Sequence, residues 1–303
     1  MTASRRVLVT GASGFLGAWI IGRLRAGGWQ VDACDLRPDP TLLRRVEPAA
    51  AEGVAWHPCD VADGAAVDAL VRETRPDRIV HLAALLIPGC RADPVAGARV
   101  NVIGHVNVLL AAIAHGIDRV VYTSSMAAKP RGPANAPANL YGVLKRTGEE
   151  VSRIFHLEHG LSSVGLRPNI VYGVGREAGE TAAITLAMRA AAFGEAYEIP
   201  WRTATCFQLA ADVADVYVRL LDAHWDGAVV GDVSDVIETS DAVVDAIRTV
   251  VPDARVSVAP EERIAPTTGF DVAALETLIG PLTRTELADG ARRTIEHYRR
   301  IGA

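Results

Sequence analysis

Residues 10–17 read TGASGFLG and lie between an apolar run, Val7–Val9, and an amphipathic stretch from about Phe15 to Ala26. The three glycines allow the backbone to turn tightly and to approach a ligand closely, and the first N–H groups of a helix attract an anion. The spacing is GxxGxxG rather than the more familiar GxGxxG. A strand, this loop and a helix in that order predict a site for the pyrophosphate of a dinucleotide.

Apolar runs alternate with amphipathic stretches through the first two thirds of the chain. The predicted strands are Val7–Thr10, Gln30–Cys34, Val54–Cys59, Arg78–Leu82, Arg119–Thr123 and Ser162–Leu166, and the predicted helices are Phe15–Ala26, Asp63–Thr74, Pro94–His115 and Leu140–His159. Uniformly apolar strands that are separated by helices are typical of a parallel sheet covered on both faces. We therefore predict an α/β, Rossmann-type doubly wound fold.

The alternation loosens after Gly173, where glycines interrupt the chain more often. We predict two lobes: residues 1–173 carry the cofactor and the catalytic groups, and residues 174–303 form a smaller α/β substrate-binding lobe that does not fold independently. The elements predicted for the second lobe are the helices Thr181–Phe193, Ala210–Ala223, Asp241–Val250 and Thr283–Arg299 and the segment Ala228–Val233. The cleft between the lobes is the predicted site.

Composition excludes several classes of protein. The net charge is −5, and the arginine pairs are scattered among acids, which argues against a nucleic-acid partner. The longest nearly uncharged helical stretch, Val102–Ala114, is too short to cross a bilayer. The N-terminal residues lead directly into a strand without the apolar region of a secretory signal. We expect a cytoplasmic protein with no membrane partner.

Cysteine and histidine spacing predicts no metal site. The four cysteines are far apart and form no CxxC pair, so we expect reduced core residues rather than a disulfide framework. His156 and His159 are three residues apart on a predicted helix, but no third ligand accompanies them.

Acidic and small residues follow the next strands in an informative order. Asp35 ends the second strand, where a carboxylate can accept hydrogen bonds from ribose hydroxyls and repel a 2′-phosphate, so NAD is favoured over NADP. Arg37 is a competing signal, because a guanidinium could hold that phosphate. Asp60 and Val61 follow the third strand and could reach the adenine. Leu82 ends the fourth strand, and the small residues Ala83 and Ala84 that follow it allow close approach of a cofactor.

Tyr141 and Lys145 are four residues apart on a predicted helix, so their side chains share one face. The pKa of a free tyrosine is about 10, and a neighbouring cation favours the phenolate that a general base requires. Ser124 and Ser125 follow the fifth strand at the carboxyl edge of the sheet, where ligands of such folds bind. A hydroxyl there can hold a substrate alcohol or carbonyl against Tyr141.

These motifs resemble those of an extended short-chain dehydrogenase/reductase of the epimerase/dehydratase family, over roughly residues 5–220. The matching stretches are TGASGFLG, HLAA at 81–84, NVIGHVNVLLAA at 101–112, YTSS at 122–125, YGVLK at 141–145 and LRPNIVYG at 166–173. The resemblance implies that Tyr141 is the acid/base, that Lys145 also binds the nicotinamide ribose, and that Ser125 is the substrate-side serine. The following MAAKPRGP departs from the family pattern, which leaves Ser124 as the alternative.

The resemblance also implies the remaining contacts. Asn101 would support the active site, Pro168 to Ile170 would line the nicotinamide, and a homodimer would form through the helices Pro94–His115 and Leu140–His159. The predicted cofactor residues are Gly11, Ser13, Gly14, Phe15, Leu16, Gly17, Asp35, Leu36, Asp60, Val61, Leu82, Ala83, Ala84, Asn101, Thr123, Tyr141, Lys145, Pro168 and Ile170. The predicted substrate residues are Leu85, Ser124, Ser125, Met126, Tyr141, Asn169 and Arg176.

Substrate identity depends on the segment before the predicted helix Ala210–Ala223. Nucleotide-sugar members of the family carry an Arg-Asp-aromatic step there, and the arginine pairs with the substrate diphosphate. The matching residues, 205–212, read TCFQLAAD and lack that arginine, although Arg176 or Arg202 could replace it. Met126, Trp201 and Phe207 could form an apolar wall.

We therefore predict an NAD-dependent oxidoreductase acting on a CH–OH group of a small polyhydroxy substrate: a sugar acid, aldose, lactone or secondary alcohol. One alternative is a sugar or nucleotide-sugar epimerase/dehydratase that oxidises its substrate transiently. Another is a cofactor-sensing binding protein, which would not need the Tyr/Lys pair.

Overall fold

A seven-stranded parallel sheet forms the centre of the fold, in the strand order β11-β6-β5-β4-β1-β2-β3. The structure is a computed structural model and describes residues 5–131, 136–179, 181–262 and 269–302. The strands of the sheet are β1 (Arg6–Thr10), β2 (Gln30–Asp35), β3 (Ala55–Pro58), β4 (Arg78–His81), β5 (Arg119–Thr123), β6 (Ser162–Arg167) and β11 (Ala228–Asp232). The chain changes direction between β1 and β4, so a crevice opens at the carboxyl ends of these strands.

Helices cover both faces of this sheet. They are α1 (Phe15–Ala26), α2 (Thr41–Val46), α3 (Gly64–Thr74), α4 (Ile87–Ala92), α5 (Pro94–Ala98), α6 (Gly104–Ala114), α7 (Leu140–His159), α8 (Ala183–Phe193), α9 (Ala210–Asp222), α10 (Ser240–Val250), α11 (Ala273–Ile279) and α12 (Leu287–Ile301). Alternate residues of a strand face opposite sides, so Val7 and Val9 pack with α1 and α9, whereas Leu8 packs with α3 and α6. The predicted doubly wound fold is confirmed.

The segment between α5 and α6 is a π turn, Arg99–Ile103, within what the sequence predicted as one helix. By length and composition, Pro94–Ala114 could cross a bilayer, so the expectation that its apolar stretch is too short was wrong. Yet 44% of its apolar window is buried inside the fold. Asn101 and His105 are among the buried residues, which indicates a core helix.

The second lobe is continuous with the first. The short strands outside the main sheet are β7 (Ile170–Tyr172), which precedes the predicted boundary, and β8 (Tyr197–Ile199), β9 (Ala204–Thr205), β10 (Phe207–Leu209), β12 (Glu238–Thr239) and β13 (Val256–Val258). They pair as β7–β10, β8–β13 and β9–β12. Strand β11 lies beyond the predicted boundary at residues 173/174, yet it forms the edge of the main sheet beside β6. The largest hydrophobic cluster likewise contains residues from both sides of that boundary, including Ile20 and Tyr217.

Candidate active site

A cavity of about 640 Å³ lies at the carboxyl ends of the central strands and extends to the start of the second lobe. Most of the residues that the sequence predicted for cofactor and substrate line it. These are Gly11, Gly14, Phe15, Leu16, Gly17, Asp35, Leu36, Asp60, Val61, Leu82, Ala83, Ala84, Leu85, Thr123, Ser124, Ser125, Met126, Tyr141, Lys145, Pro168, Asn169 and Arg176. Ser13, Asn101 and Ile170 are the predicted residues that do not.

The glycine loop leaves room for a ligand above the start of α1. Gly11 has φ +68°, and a Cβ there would lie 2.6 Å from the backbone nitrogen of Ala83. A Cβ on Gly17 would lie 2.4 Å from the carbonyl oxygen of Ala12. Gly14 is the N-cap of α1, and no side chain caps the helix. Its first N–H groups are therefore available to an anion, as a pyrophosphate requires.

Asp35 is held at the entrance of this loop. Its Oδ2 accepts a hydrogen bond of 3.1 Å from the Ser13 nitrogen, so Ser13 positions the acid rather than lining the cavity. Arg37, which the sequence offered as a possible partner for the 2′-phosphate of NADP, does not line the cavity. Its carbonyl oxygen accepts a 3.4 Å hydrogen bond from Ser13 Oγ. A carboxylate in this position fits the ribose hydroxyls of NAD.

Asp60 lies farther along the same wall, at the end of β3. The N-cap of α3 is Asp63, whose carboxylate accepts from the nitrogens of Ala65 and Ala66. Asp60 does not cap α3 and lines the cavity.

Tyr141 and Lys145 are buried in the first turns of α7, and Asn139 caps that helix. The Lys145 ammonium donates a 2.7 Å hydrogen bond to the carbonyl oxygen of Thr123 and lies 5.8 Å from the Tyr141 ring centroid. Burial lowers the pKa of Lys145 to about 8. Burial also raises the pKa of Tyr141 to about 12, against the opposing effects of a hydrogen bond with Ser125 and the charge of Arg176.

The two serines that the sequence could not separate have different partners. Ser124 is 1% exposed, and its hydroxyl donates to Glu149. Glu149 in turn accepts from the Arg167 guanidinium through both carboxylate oxygens. Ser125 instead hydrogen-bonds with Tyr141 and accepts a 3.1 Å bond from the Ala127 nitrogen. The geometry favours Ser125 as the substrate-side hydroxyl.

Asn101 acts through the loop after β4. Its Oδ1 accepts from the Leu85 nitrogen at 3.0 Å, and its Nδ2 donates to the Leu85 carbonyl at 2.9 Å. Asn101 therefore fixes Leu85 without lining the cavity itself.

Ile170 was predicted to line the nicotinamide, but it packs in the hydrophobic cluster of the second lobe, and Val171 lines the cavity instead. Alternate residues of β7 face opposite sides, which accounts for the exchange.

Arg176 brings a positive charge into the cavity. Its Nη2 donates a 2.9 Å hydrogen bond to Thr181 Oγ1, and its guanidinium lies 5.9 Å from the Phe15 ring centroid. Burial lowers the pKa of this arginine, and the facing Tyr141 has the opposite effect. Within residues 5–131, 136–179, 181–262 and 269–302, no carboxylate pairs with it. The sequence offered no signal for Thr181 as its partner.

Other predicted substrate features lie elsewhere. Trp201 is buried in the second-lobe cluster, and Phe207 lines a separate cavity of about 500 Å³. Thr205, where nucleotide-sugar enzymes carry arginine, is buried and accepts a hydrogen bond from Asn169. Among the described residues, no cluster of histidine, cysteine and acidic side chains could hold a metal ion.

A dinucleotide loop at the switch point of a doubly wound sheet, with Ser, Tyr and Lys beside it, defines an NAD-binding enzyme class. The sequence model of the NAD dependent epimerase/dehydratase family matches residues 7–249. The chain belongs to this family of extended short-chain dehydrogenases/reductases, and its cofactor is NAD.

The relatives include more than one activity. UDP-glucose 4-epimerase of Rhizobium meliloti is 30% identical over an alignment of 254 positions that covers 74% of each chain. The structure of MoeE5 with UDP-glucuronic acid and NAD is 25% identical, with a TM-score of 0.80 over 97% of this chain and 99% of that one. L-threonine dehydrogenase of Clostridium difficile has a TM-score of 0.84 over 99% of both chains at 20% identity, which supports the fold alone.

Proposed function

We propose that this enzyme catalyses the NAD-dependent oxidation or reduction of a CH–OH group in a small polyhydroxy substrate, most favourably a sugar acid. Aldoses, lactones and simple secondary alcohols complete the proposed class. The observation that carries the proposal is the Arg176 guanidinium in the cavity, beside Tyr141 and without a carboxylate partner among the described residues. A substrate carboxylate would supply that partner through a bidentate contact.

The proposed chemistry assigns one role to each catalytic side chain. Ser125 Oγ donates a hydrogen bond to the substrate oxygen, and Tyr141 Oη takes the proton from that oxygen during oxidation and returns it during reduction. Bound NAD supplies a hydride acceptor at C4 of the nicotinamide. Lys145 binds the nicotinamide ribose and adds positive charge beside the phenol. The charge of Arg176 partly offsets the rise in the Tyr141 pKa that burial causes.

The proposed cofactor contacts follow the cavity wall. When NAD is bound, the glycine loop would hold its pyrophosphate, Asp35 would accept from the adenosine ribose, and Asp60 and Val61 would lie on the adenine side. Small residues at 82–84 allow the cofactor to pass close to the end of β4.

A sugar or nucleotide-sugar epimerase/dehydratase with transient oxidation is the second candidate, because the curated relative at 30% identity is an epimerase. Such an enzyme would not accumulate NADH. Thr205 weakens this candidate for diphosphate substrates, because its hydroxyl is engaged by Asn169 and carries no charge.

A screen for NADH formation and thermal stabilisation with sugar acids, aldoses, secondary alcohols and nucleotide sugars tests the proposal. Arg176→Met should raise KM for the sugar acid about 10–100-fold, because a charged hydrogen bond is worth about 1.5–3 kcal/mol. KM for a neutral aldose should change little. Arg202→Met is the matched control, because Arg202 pairs with Asp241 and does not line the cavity. Stabilisation by a nucleotide sugar, with no lasting NADH, would establish the epimerase instead.

A homodimer is also proposed, with the π turn, α6 and α7 at the interface. These segments expose large apolar side chains at helical spacing: Ile103, Leu110, Leu140, Val143, Ile154 and Leu157. Two adjacent apolar stripes of this kind are suited to a second copy of the chain.

A role in sugar metabolism follows from the proposed substrate. A cytoplasmic location is supported by four cysteines that are all free and buried, and cell fractionation tests it.

A further inference from the structure

Four consecutive apolar residues bound one part of the main cavity. These residues follow β4 and lead into the first turn of α4, and all four line the cavity: Leu85, Leu86, Ile87 and Pro88. We call them the 85–88 wall. None of their side chains can donate or accept a hydrogen bond. A substrate hydroxyl that lies against this wall therefore loses water and gains no polar side-chain partner, which costs free energy.

The 85–88 wall lies at the catalytic end of the cavity. Leu85 and Ile87 pack against the buried cluster that contains Tyr141, Ala127 and Leu144. The residues that we assign to the cofactor at the end of β4, 82–84, come before the wall in the chain. The wall therefore borders the space in which the substrate meets Tyr141.

Hydrogen bonds to the backbone hold this wall in place. Asn101 binds both the nitrogen and the carbonyl oxygen of Leu85, at 3.0 and 2.9 Å. The thiol of Cys90 donates to the same carbonyl oxygen at 3.2 Å, and the nitrogen of Cys90 donates to the Leu86 carbonyl oxygen at 2.9 Å. Asn101 and Cys90 are both buried. The wall is therefore preformed, and ordering it adds little to the free-energy cost of binding.

The space around Tyr141 thus combines two features of opposite polarity. The Arg176 guanidinium lines the same cavity, and among the described residues no carboxylate pairs with it. The 85–88 wall supplies only apolar side chains. A substrate that uses both features carries a carboxylate together with an apolar group.

We propose that the substrate is a deoxy sugar acid, whose terminal methyl group lies on the 85–88 wall while its carboxylate binds Arg176. This inference rests on the proposed function and narrows its substrate class. A methyl group gains free energy when the wall buries it, whereas the hydroxymethyl group of an ordinary sugar acid would leave its hydroxyl without a partner. Discrimination against a single added hydroxyl in an apolar pocket reaches about 100-fold.

Calorimetry on the NADH-saturated protein tests this inference without turnover, because NADH cannot oxidise a hydroxy acid. The probes are two matched pairs, D-galactonate with D-fuconate and L-mannonate with L-rhamnonate, and the members of each pair differ only in the hydroxyl at C6. In the pair that binds, we expect the deoxy acid to have a dissociation constant about 10–100-fold smaller.

The two ways in which this experiment can fail are distinguishable. Equal affinities within a pair, or tighter binding of the hydroxylated acid, would overturn this inference and leave the proposed function intact. Binding of none of the four acids would overturn the proposed function as well.

Variants of the wall locate the methyl group. Leu86→Asn and Ile87→Asn, made singly, each replace an apolar side chain with an amide that can pair with a hydroxyl. We expect at least one of them to reduce the preference for the deoxy acid to about threefold or less. Ile237→Asn is the matched control, because Ile237 is exposed and does not line the main cavity.

A full preference in both wall variants would show that the methyl group lies elsewhere and would overturn the inference. The wild-type comparison of the matched pairs decides the matter if Ile87→Asn does not fold.

Discussion

Ser124 and Ser125 are neighbours in sequence, yet their hydroxyl groups belong to different networks. Ser124 is committed to Glu149, whereas Ser125 meets Tyr141. The sequence could not separate them, because the distinction depends on Glu149 and Arg167, which lie on other elements. The position of Arg176 beside Tyr141 is a similar case, since only the folded chain brings these residues together.

Alanine substitutions test the separation of the serines. Ser125→Ala should lower kcat/KM about 100-fold or more, because it removes a hydrogen bond to the reacting oxygen. Ser124→Ala should keep most of the activity but cost about 1–3 kcal/mol of unfolding free energy, because buried Glu149 loses a partner. Steady-state kinetics and urea unfolding measure the two effects. The opposite pattern would transfer the catalytic role to Ser124.

At the scale of elements, a stack of three aromatic side chains joins β4, α6 and β5. His81 and His105 lie 5.4 Å apart, and His105 and Tyr122 lie 4.7 Å apart between ring centroids. His105 is also hydrogen-bonded to Ser152 on α7 at 2.9 Å. Burial lowers the pKa of His105 to about 3 and that of His81 well below its usual value. Both histidines are therefore uncharged near neutral pH, and the charge of Lys145 favours this state further.

This stack should make the fold sensitive to acid. Between pH 6.5 and 3, unfolded His105 binds a proton that the folded protein does not, so stability is lost as the pH falls below 6.5. His105→Gln should reduce the slope of unfolding free energy against pH by about 1.4 kcal/mol per unit between pH 4 and 6. Urea unfolding at several pH values measures it. Ser152→Ala is the control: it keeps the histidine and should therefore keep the slope of unfolding free energy against pH. If His105→Gln leaves that slope unchanged, the folded protein must protonate His105 as readily as the unfolded chain does.

The sequence was most informative for the long elements. Apolar runs and amphipathic periodicity located the strands of the main sheet and helices such as α1 and α7 within a few residues. The short helices α2, α4 and α11 and the paired short strands of the second lobe were missed, because tertiary contacts rather than local periodicity set them. The π turn was also missed, because the apolar periodicity of Pro94–His115 does not distinguish it from a regular α-helix.

At the scale of the whole molecule, the proposed dimer has a direct test. Ile154 and Leu157 are 48% and 77% exposed on α7. Replacing both with lysine should place charges in the interface and yield monomers in light-scattering chromatography. Ile237→Lys is the control, because this residue is 58% exposed but lies outside the two stripes. A wild-type monomer, or a doubly substituted dimer, would contradict the proposed interface.

The position of β11 determines what happens to a shortened chain. This strand comes late in the sequence, yet it pairs with residues 163–167 of β6, whose first five residues are buried. A polypeptide that ends before Ala228 would leave the N–H and C=O groups of β6 as an unprotected sheet edge. Such edges recruit other chains. The last quarter of the chain therefore supplies the strand that covers this edge, and a chain without it would expose the edge to other molecules.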